Sequence, residues 1–131
     1  MSLSDAALVK DNHIAAAGGV AQAFALIRAS AAGLPIEIEV DTVEQLKVAI
    51  DAGADVVLLD NMPPDVMREA VAVAAAHEKS TGRSVLLEAS GGLTLDVARD
   101  VASTGVHFIS VGGLTHSAPV LDIGLDFETV I

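Results

Sequence analysis

Ala6-Ala7-Leu8-Val9-Lys10-Asp11-Asn12-His13 is a short apolar run that closes abruptly on charged and polar residues. The same order returns along the chain. Pro35–Val40 ends in Glu37-Ile38-Glu39-Val40, and Asp55–Asp60 ends in Leu58-Leu59-Asp60-Asn61. Ser84–Ala89 runs into Glu88-Ala89-Ser90-Gly91-Gly92, and His107–Val111 into Gly112-Gly113-Leu114-Thr115-His116-Ser117. Between these runs lie segments of helical character. Val20, Phe24 and Ile27 recur at helical spacing over 18–32, before Gly33 and Pro35. Thr42-Val43-Glu44-Gln45 has the form of a capping box, and a helix is expected from there to Ala52, with Gly53 after its end. Pro63-Pro64 suits the first turn of a helix reaching about Lys79. A further helix is expected from Thr94 to Ser103, stopping at Gly105. The stretch after Lys10 is expected as a polar loop, and 121–127 as a weaker sixth strand.

Strands buried on both faces and alternating with helices imply a parallel sheet with right-handed crossovers. A doubly wound sheet collects its polar strand ends around one switch point, whereas a barrel turns every such end toward a common site. Polar residues follow every strong strand here, which favours a barrel. The expected fold class is α/β: parallel (β/α) units forming the C-terminal part of an open α/β, TIM-like barrel. A complete barrel of this kind needs roughly 200 residues or more. The chain has 131 and reaches a strand within a few residues of Met1, so it reads as a single partial domain.

Composition narrows the function. The formal net charge is −11, which argues against nucleic acid or an anionic membrane as partner. No apolar run approaches the ~20 residues of a membrane span, and no secretory signal pattern is present. A cytoplasmic location is expected. Absence of cysteine removes disulfides and thiolate metal sites. Lys10 stands alone among the seven Lys and Arg residues in ending a strand; the other six read as solvated helix or loop positions.

Glu37 and Glu39 lie two apart in a strand and share a face, while Ile36, Ile38 and Val40 claim the helix side. Glu39, nearer the carboxyl end, is a candidate to hold a substrate hydroxyl or a hydrated Mg²⁺. Glu37, one layer deeper, needs a cationic partner, and Lys10 is the obvious one. An edge strand with a wet face is the alternative. Asp60-Asn61 reads either as a turn or, together with Glu39, as a Mg²⁺–diol site, since Mg²⁺ often takes one or two carboxylates plus substrate oxygens. Ser90-Gly91-Gly92 and Gly112-Gly113-Leu114 read either as tight turns or as a phosphate site, because glycine turns and helix N-termini present backbone N–H groups to anions. His13 and His116 fall in strand-end loops with open roles, and His77 and His107 read as structural.

These motifs, taken in order, resemble the quinolinate phosphoribosyltransferase family, and the resemblance runs from about Ser4 to Phe127. It implies a transferase of NAD biosynthesis. Such an enzyme makes nicotinate mononucleotide, CO₂ and pyrophosphate from quinolinate and phosphoribosyl pyrophosphate with Mg²⁺, on an open barrel behind an N-terminal domain. By resemblance Lys10, Glu39 and Asp60 are catalytic. Lys10 meets a substrate carboxylate, and Glu39 and Asp60 address the ribose and the metal, directly or through water. Ser90, Gly91, Gly92, Gly112, Gly113 and Leu114 hold the 5′-phosphate, with His116 in the matching loop. The family's N-terminal domain and first barrel units, with the arginines and second lysine that bind quinolinate, are not matched. A homo-oligomer is implied. A molybdenum-transport-associated paralogue of the same fold stays open as an alternative, as does a non-catalytic half-barrel that binds phosphate or self-associates.

Overall fold

The computed structural model describes residues 6–31, 33–115, 118, 121 and 123–126. Strands β1 (Ala7–Val9), β2 (Ile36–Val40), β3 (Val56–Asp60), β4 (Leu86–Ser90) and β5 (Phe108–Ile109) form one sheet in the order β1-β2-β3-β4-β5. Every neighbouring pair is parallel. Helices α2 (Val20–Ser30), α3 (Val43–Ala52), α4 (Pro64–Thr81) and α5 (Leu95–Ala102) connect them, each helix packing beside the next. A sheet wound in sequence order, with its helices in one row, has no switch point. This is the winding of a barrel wall rather than of a doubly wound sheet.

Alternation within the strands decides which side the helices cover. Val9, Ile36, Ile38, Val57, Leu59, Leu87 and Ala89 are fully buried, and Leu46, Ala49, Met67 and Ala70 meet them from α3 and α4. Each large aliphatic side chain buried there contributes about 1.5–3 kcal/mol. The opposite face carries Leu8, Glu37, Glu39, Val56, Leu58, Asp60, Leu86, Glu88 and Phe108, and it is only partly covered: Leu8 and Phe108 are exposed. The edge-strand alternative for Pro35–Val40 fails, because β2 lies between β1 and β3.

The expected polar loop after Lys10 is instead helix α1 (Asp11–Ala17), so His13 sits in a first helical turn and not in a loop. Its Nδ1 accepts the backbone N–H of Lys10 at 2.9 Å, while Gly18 closes the other end by donating to the Ala15 and Ile14 carbonyls. An imidazole three residues past the cap position can satisfy a free N–H as glutamine does in a capping box. We expect His13→Ala to cost about 1 kcal/mol in chemical denaturation, and His13→Gln to restore much of it.

Other expectations shift in detail. Thr42 Oγ1 accepts from the Gln45 N–H at 3.2 Å, but the Gln45 side chain reaches back to the Asp41 N–H at 2.7 Å rather than to Thr42. Two arginines read as solvated have structural work. Arg83 donates to the Ala54 and Ile50 carbonyls at 2.7 and 2.8 Å, and Arg28 to the Gly53 carbonyl at 3.0 Å. Both guanidiniums therefore meet the negative end of α3. The sixth strand expected over 121–127 does not form at Leu121 or over Ile123–Asp126, and its other positions lie outside the described residues. Instead Asn12 Nδ2 donates to the Leu125 carbonyl, which ties the tail to α1.

Candidate functional site

Because all strands are parallel, their carboxyl ends lie on one edge. Lys10 follows β1, Glu39 and Asp60 stand at the ends of β2 and β3, Ser90 ends β4, and Gly112 follows β5. Gly112–Leu114 forms a single 3₁₀ turn. His116 and Ser117 lie outside the described residues.

Lys10 does not pair with Glu37. Its Nζ meets Glu39 Oε2 at 2.9 Å, because Lys10 follows β1 at the level of the upper glutamate. The hydrogen bond to Glu39 raises the Lys10 pKa against the opposing effect of burial, with Asp11 and Asp60 adding attraction. The ammonium therefore stays charged at neutral pH. Asp41, which is not among the residues the sequence singles out, belongs to the same group: burial raises its pKa, and Asp60, Glu39 and Asp11 repel its charge. Its signal was present, since Asp41 directly follows the EIEV strand.

Glu37, without a cation beside it among the described residues, faces Glu88. Burial, the Glu88 charge, a hydrogen bond to Glu88 and the charge of Glu39 together push its pKa up to about 7 from an ordinary 4.5. The buried Glu37 Oε1 has no partner among the described residues, while Ser110 Oγ donates to Glu88 Oε1. Glu37 therefore holds its proton further up in pH than an ordinary glutamate, burial and the neighbouring Glu88 being the main causes. The folded state binds this proton more tightly than the unfolded chain does. Stability from this group is full below about pH 4.5 and is lost as pH rises through about 7. After allowance for solvent screening the difference is about 1–2 kcal/mol. Urea denaturation at pH 5 and pH 8 should show Glu37→Gln narrowing the gap between the two conditions by that amount; an unchanged gap would rule out the raised Glu37 pKa.

Beyond these acids, a cleft of about 800 Å³ opens between Ser90–Asp96 and Ser110–Gly113. Among the described residues no lysine or arginine lines it. Gly91 and Gly92 adopt φ +84° and +57°, and neither donates a backbone hydrogen bond within the described residues. Thr94 caps α5 without a side-chain bond to the helix N–H groups. The cleft therefore offers main-chain donors and a helix N-terminus in place of cationic side chains. Asn61, read from sequence only as a turn former, stands between this cleft and Asp60. Its N–H donates to the Ser90 carbonyl and its Nδ2 to Asp60 Oδ2, both at 3.0 Å.

Residues 1–126 match the family model for the quinolinate phosphoribosyl transferase C-terminal domain. The chain belongs to this family. It is 48% identical over 126 residues to the carboxylating nicotinate-nucleotide pyrophosphorylase of Mycobacterium leprae, covering 96% of this chain and 43% of that protein. The human nicotinate-nucleotide pyrophosphorylase is 41% identical over 119 residues, covering 90% of this chain and 39% of its own. A solved nicotinate-nucleotide pyrophosphorylase from Francisella tularensis superposes with a TM-score of 0.77 at 38% identity, over 87% of this chain and 38% of that one. The chain thus spans less than half the length of the relatives it matches.

Proposed function

We propose that this chain supplies the ribose-phosphate side of a phosphoribosyltransferase site. The reaction would join quinolinate to phosphoribosyl pyrophosphate, giving nicotinate mononucleotide, CO₂ and pyrophosphate in NAD biosynthesis. The observation that carries the reading is the cleft between two glycine turns, set on the same sheet edge as Lys10, Glu39 and Asp60. Backbone N–H groups of the Ser90-Gly91-Gly92 and Gly112-Gly113-Leu114 turns would hold the 5′-phosphate. Asp60 and Glu39 would accept from ribose hydroxyls. Lys10, charged but paired with Glu39, would turn toward a substrate carboxylate when one arrives, freeing Glu39 as it moves.

Mg²⁺ fits this donor set as a shared ion rather than a caged one. Glu39 and Asp60 provide hard oxygen donors, while among the described residues no three His, Cys, Asp or Glu side chains group closely enough to hold an ion. Substrate phosphate oxygens and water would complete such a shell. When bound, the ion would neutralise charge on the leaving pyrophosphate.

Self-association belongs to the same proposal: among the described residues β1 has only β2 beside it, and an unpaired strand edge recruits partners. Among the described residues no helix is long and apolar enough to cross a membrane, and a cytoplasmic setting accords with the substrates proposed.

Calorimetric titration with phosphoribosyl pyrophosphate and Mg²⁺, set against inorganic phosphate, tests the reading. Preferential binding of the ribosyl ligand is expected. Equal affinity for both would leave a phosphate-binding module, and binding of neither would overturn the proposal. Light scattering at high protein concentration tests self-association, and a strictly monomeric species would count against it.

A further inference from the structure

Asn61 connects the carboxylate end of the site to its glycine turn. It is the only residue other than glycine with positive φ among the described residues, at +49°. Asparagine tolerates that conformation better than most side chains, so a turn explains the backbone alone. It does not explain where the other groups go. The side-chain Nδ2 donates to Asp60 Oδ2 at 3.0 Å, and the backbone N–H donates to the Ser90 carbonyl at 3.0 Å, just before the turn. On the other side, the Asn61 Cγ and Oδ1 atoms lie 2.6 Å from where a Cβ on Gly91 would be. One residue touches the candidate ribose carboxylate and the candidate phosphate turn together.

We propose that Asn61 is a positioning residue: its side-chain amide fixes the Asp60 carboxylate in the orientation that meets a ribose hydroxyl, at a spacing from the Gly91 turn set by its own backbone. The proposal rests on the ribose-phosphate reading of the site. An Asp at a strand end otherwise rotates freely and must be ordered when ligand binds. A donor on the neighbouring residue orders it beforehand, and preorganisation of this kind raises affinity without a new ligand contact. The effect should therefore fall on ligands that carry a ribose and not on phosphate alone.

The test compares the unmodified chain with Asn61→Gly, Asp60→Ala and the double variant by calorimetry. Ribose 5-phosphate and inorganic phosphate serve as separate ligands. Glycine accepts the backbone conformation at position 61 and keeps the N–H to Ser90, so it removes the amide and little else. Asn61→Gly should weaken ribose 5-phosphate about tenfold, leave phosphate within about twofold, and add nothing once Asp60 is alanine. Equal losses for both ligands, or full additivity with Asp60→Ala, would overturn the role. A readout without ligand runs beside it: the Asn61 side-chain amide resonances should move in Asp60→Ala, and unmoved resonances would overturn the contact itself. Should the unmodified chain bind neither ligand while those resonances move, the ribose-phosphate reading falls, the positioning role falls with it, and the contact alone survives.

Discussion

Gly91→Val is expected to destabilise the fold by about 2–5 kcal/mol, roughly 10 °C or more in Tm, while Gly113→Val leaves stability nearly unchanged. The two glycines look alike in sequence and differ in their surroundings. Gly91 has φ +84°, and a Cβ there would come within 2.6 Å of the Asn61 side chain and 2.7 Å of the Asn61 backbone nitrogen. The backbone nitrogen cannot swing away as a side chain can, so β3 and β4 would have to separate at their ends. A Cβ on Gly113 meets nothing within 4 Å, and its φ lies outside the left-handed region. Both substitutions should nevertheless abolish phosphate binding, since each fills the approach to main-chain donors. Thermal melts with and without phosphate separate the effects. Equal melting temperatures for the two variants would deny the Asn61 contact. Unchanged phosphate affinity in both would show that these loops are turns and nothing more.

That contrast marks how far the sequence could be read. Alternation in Pro35–Val40 and the continuous apolar run at Val56–Leu59 set strand direction and burial, because a period of two has one solution once one face is apolar. Polar strand ends then fixed the common edge, and the family motifs fell on it. Side-chain pairing was less legible. A deep carboxylate needs a cation most, so the residue pattern pairs Lys10 with Glu37. Strand register instead brings it to Glu39, and Glu37 keeps a proton beside Glu88. Register between parallel strands depends on the crossover helices, which a residue pattern does not encode. Helix α1 is not legible because its start is polar and its alanines carry no apolar period, while the side chain that reaches back to its first free N–H is an imidazole. Asn61 reads only as a turn former, since its contact with Gly91 joins two loops thirty positions apart in the chain.

Mixed with quinolinate, phosphoribosyl pyrophosphate and Mg²⁺, the 131-residue chain is expected to form nicotinate mononucleotide with kcat/KM several powers of ten below that of a full-length relative. The proposed chemistry develops positive charge at the anomeric carbon and a carbanion-like centre at the decarboxylating ring carbon. Stabilising both requires fixed groups on two sides of the reacting bond. Glu39 and Asp60 can serve the ribose side. For the ring side this chain offers Lys10, and Glu39 already holds that ammonium at 2.9 Å. Quinolinate brings two carboxylates to a chain whose formal charge is already −11. Each missing contact between a cation and a carboxylate is worth about 1.5–3 kcal/mol, so two of them alone remove about 10²–10⁴ in kcat/KM. Ribose-phosphate affinity should persist, because its turns do not depend on those cations. Product formation followed by chromatography, against the Mycobacterium leprae relative as standard, decides the matter. Turnover near that standard would show that the ring-binding groups lie within these residues and that the division of the site between ribose and ring sides is wrong.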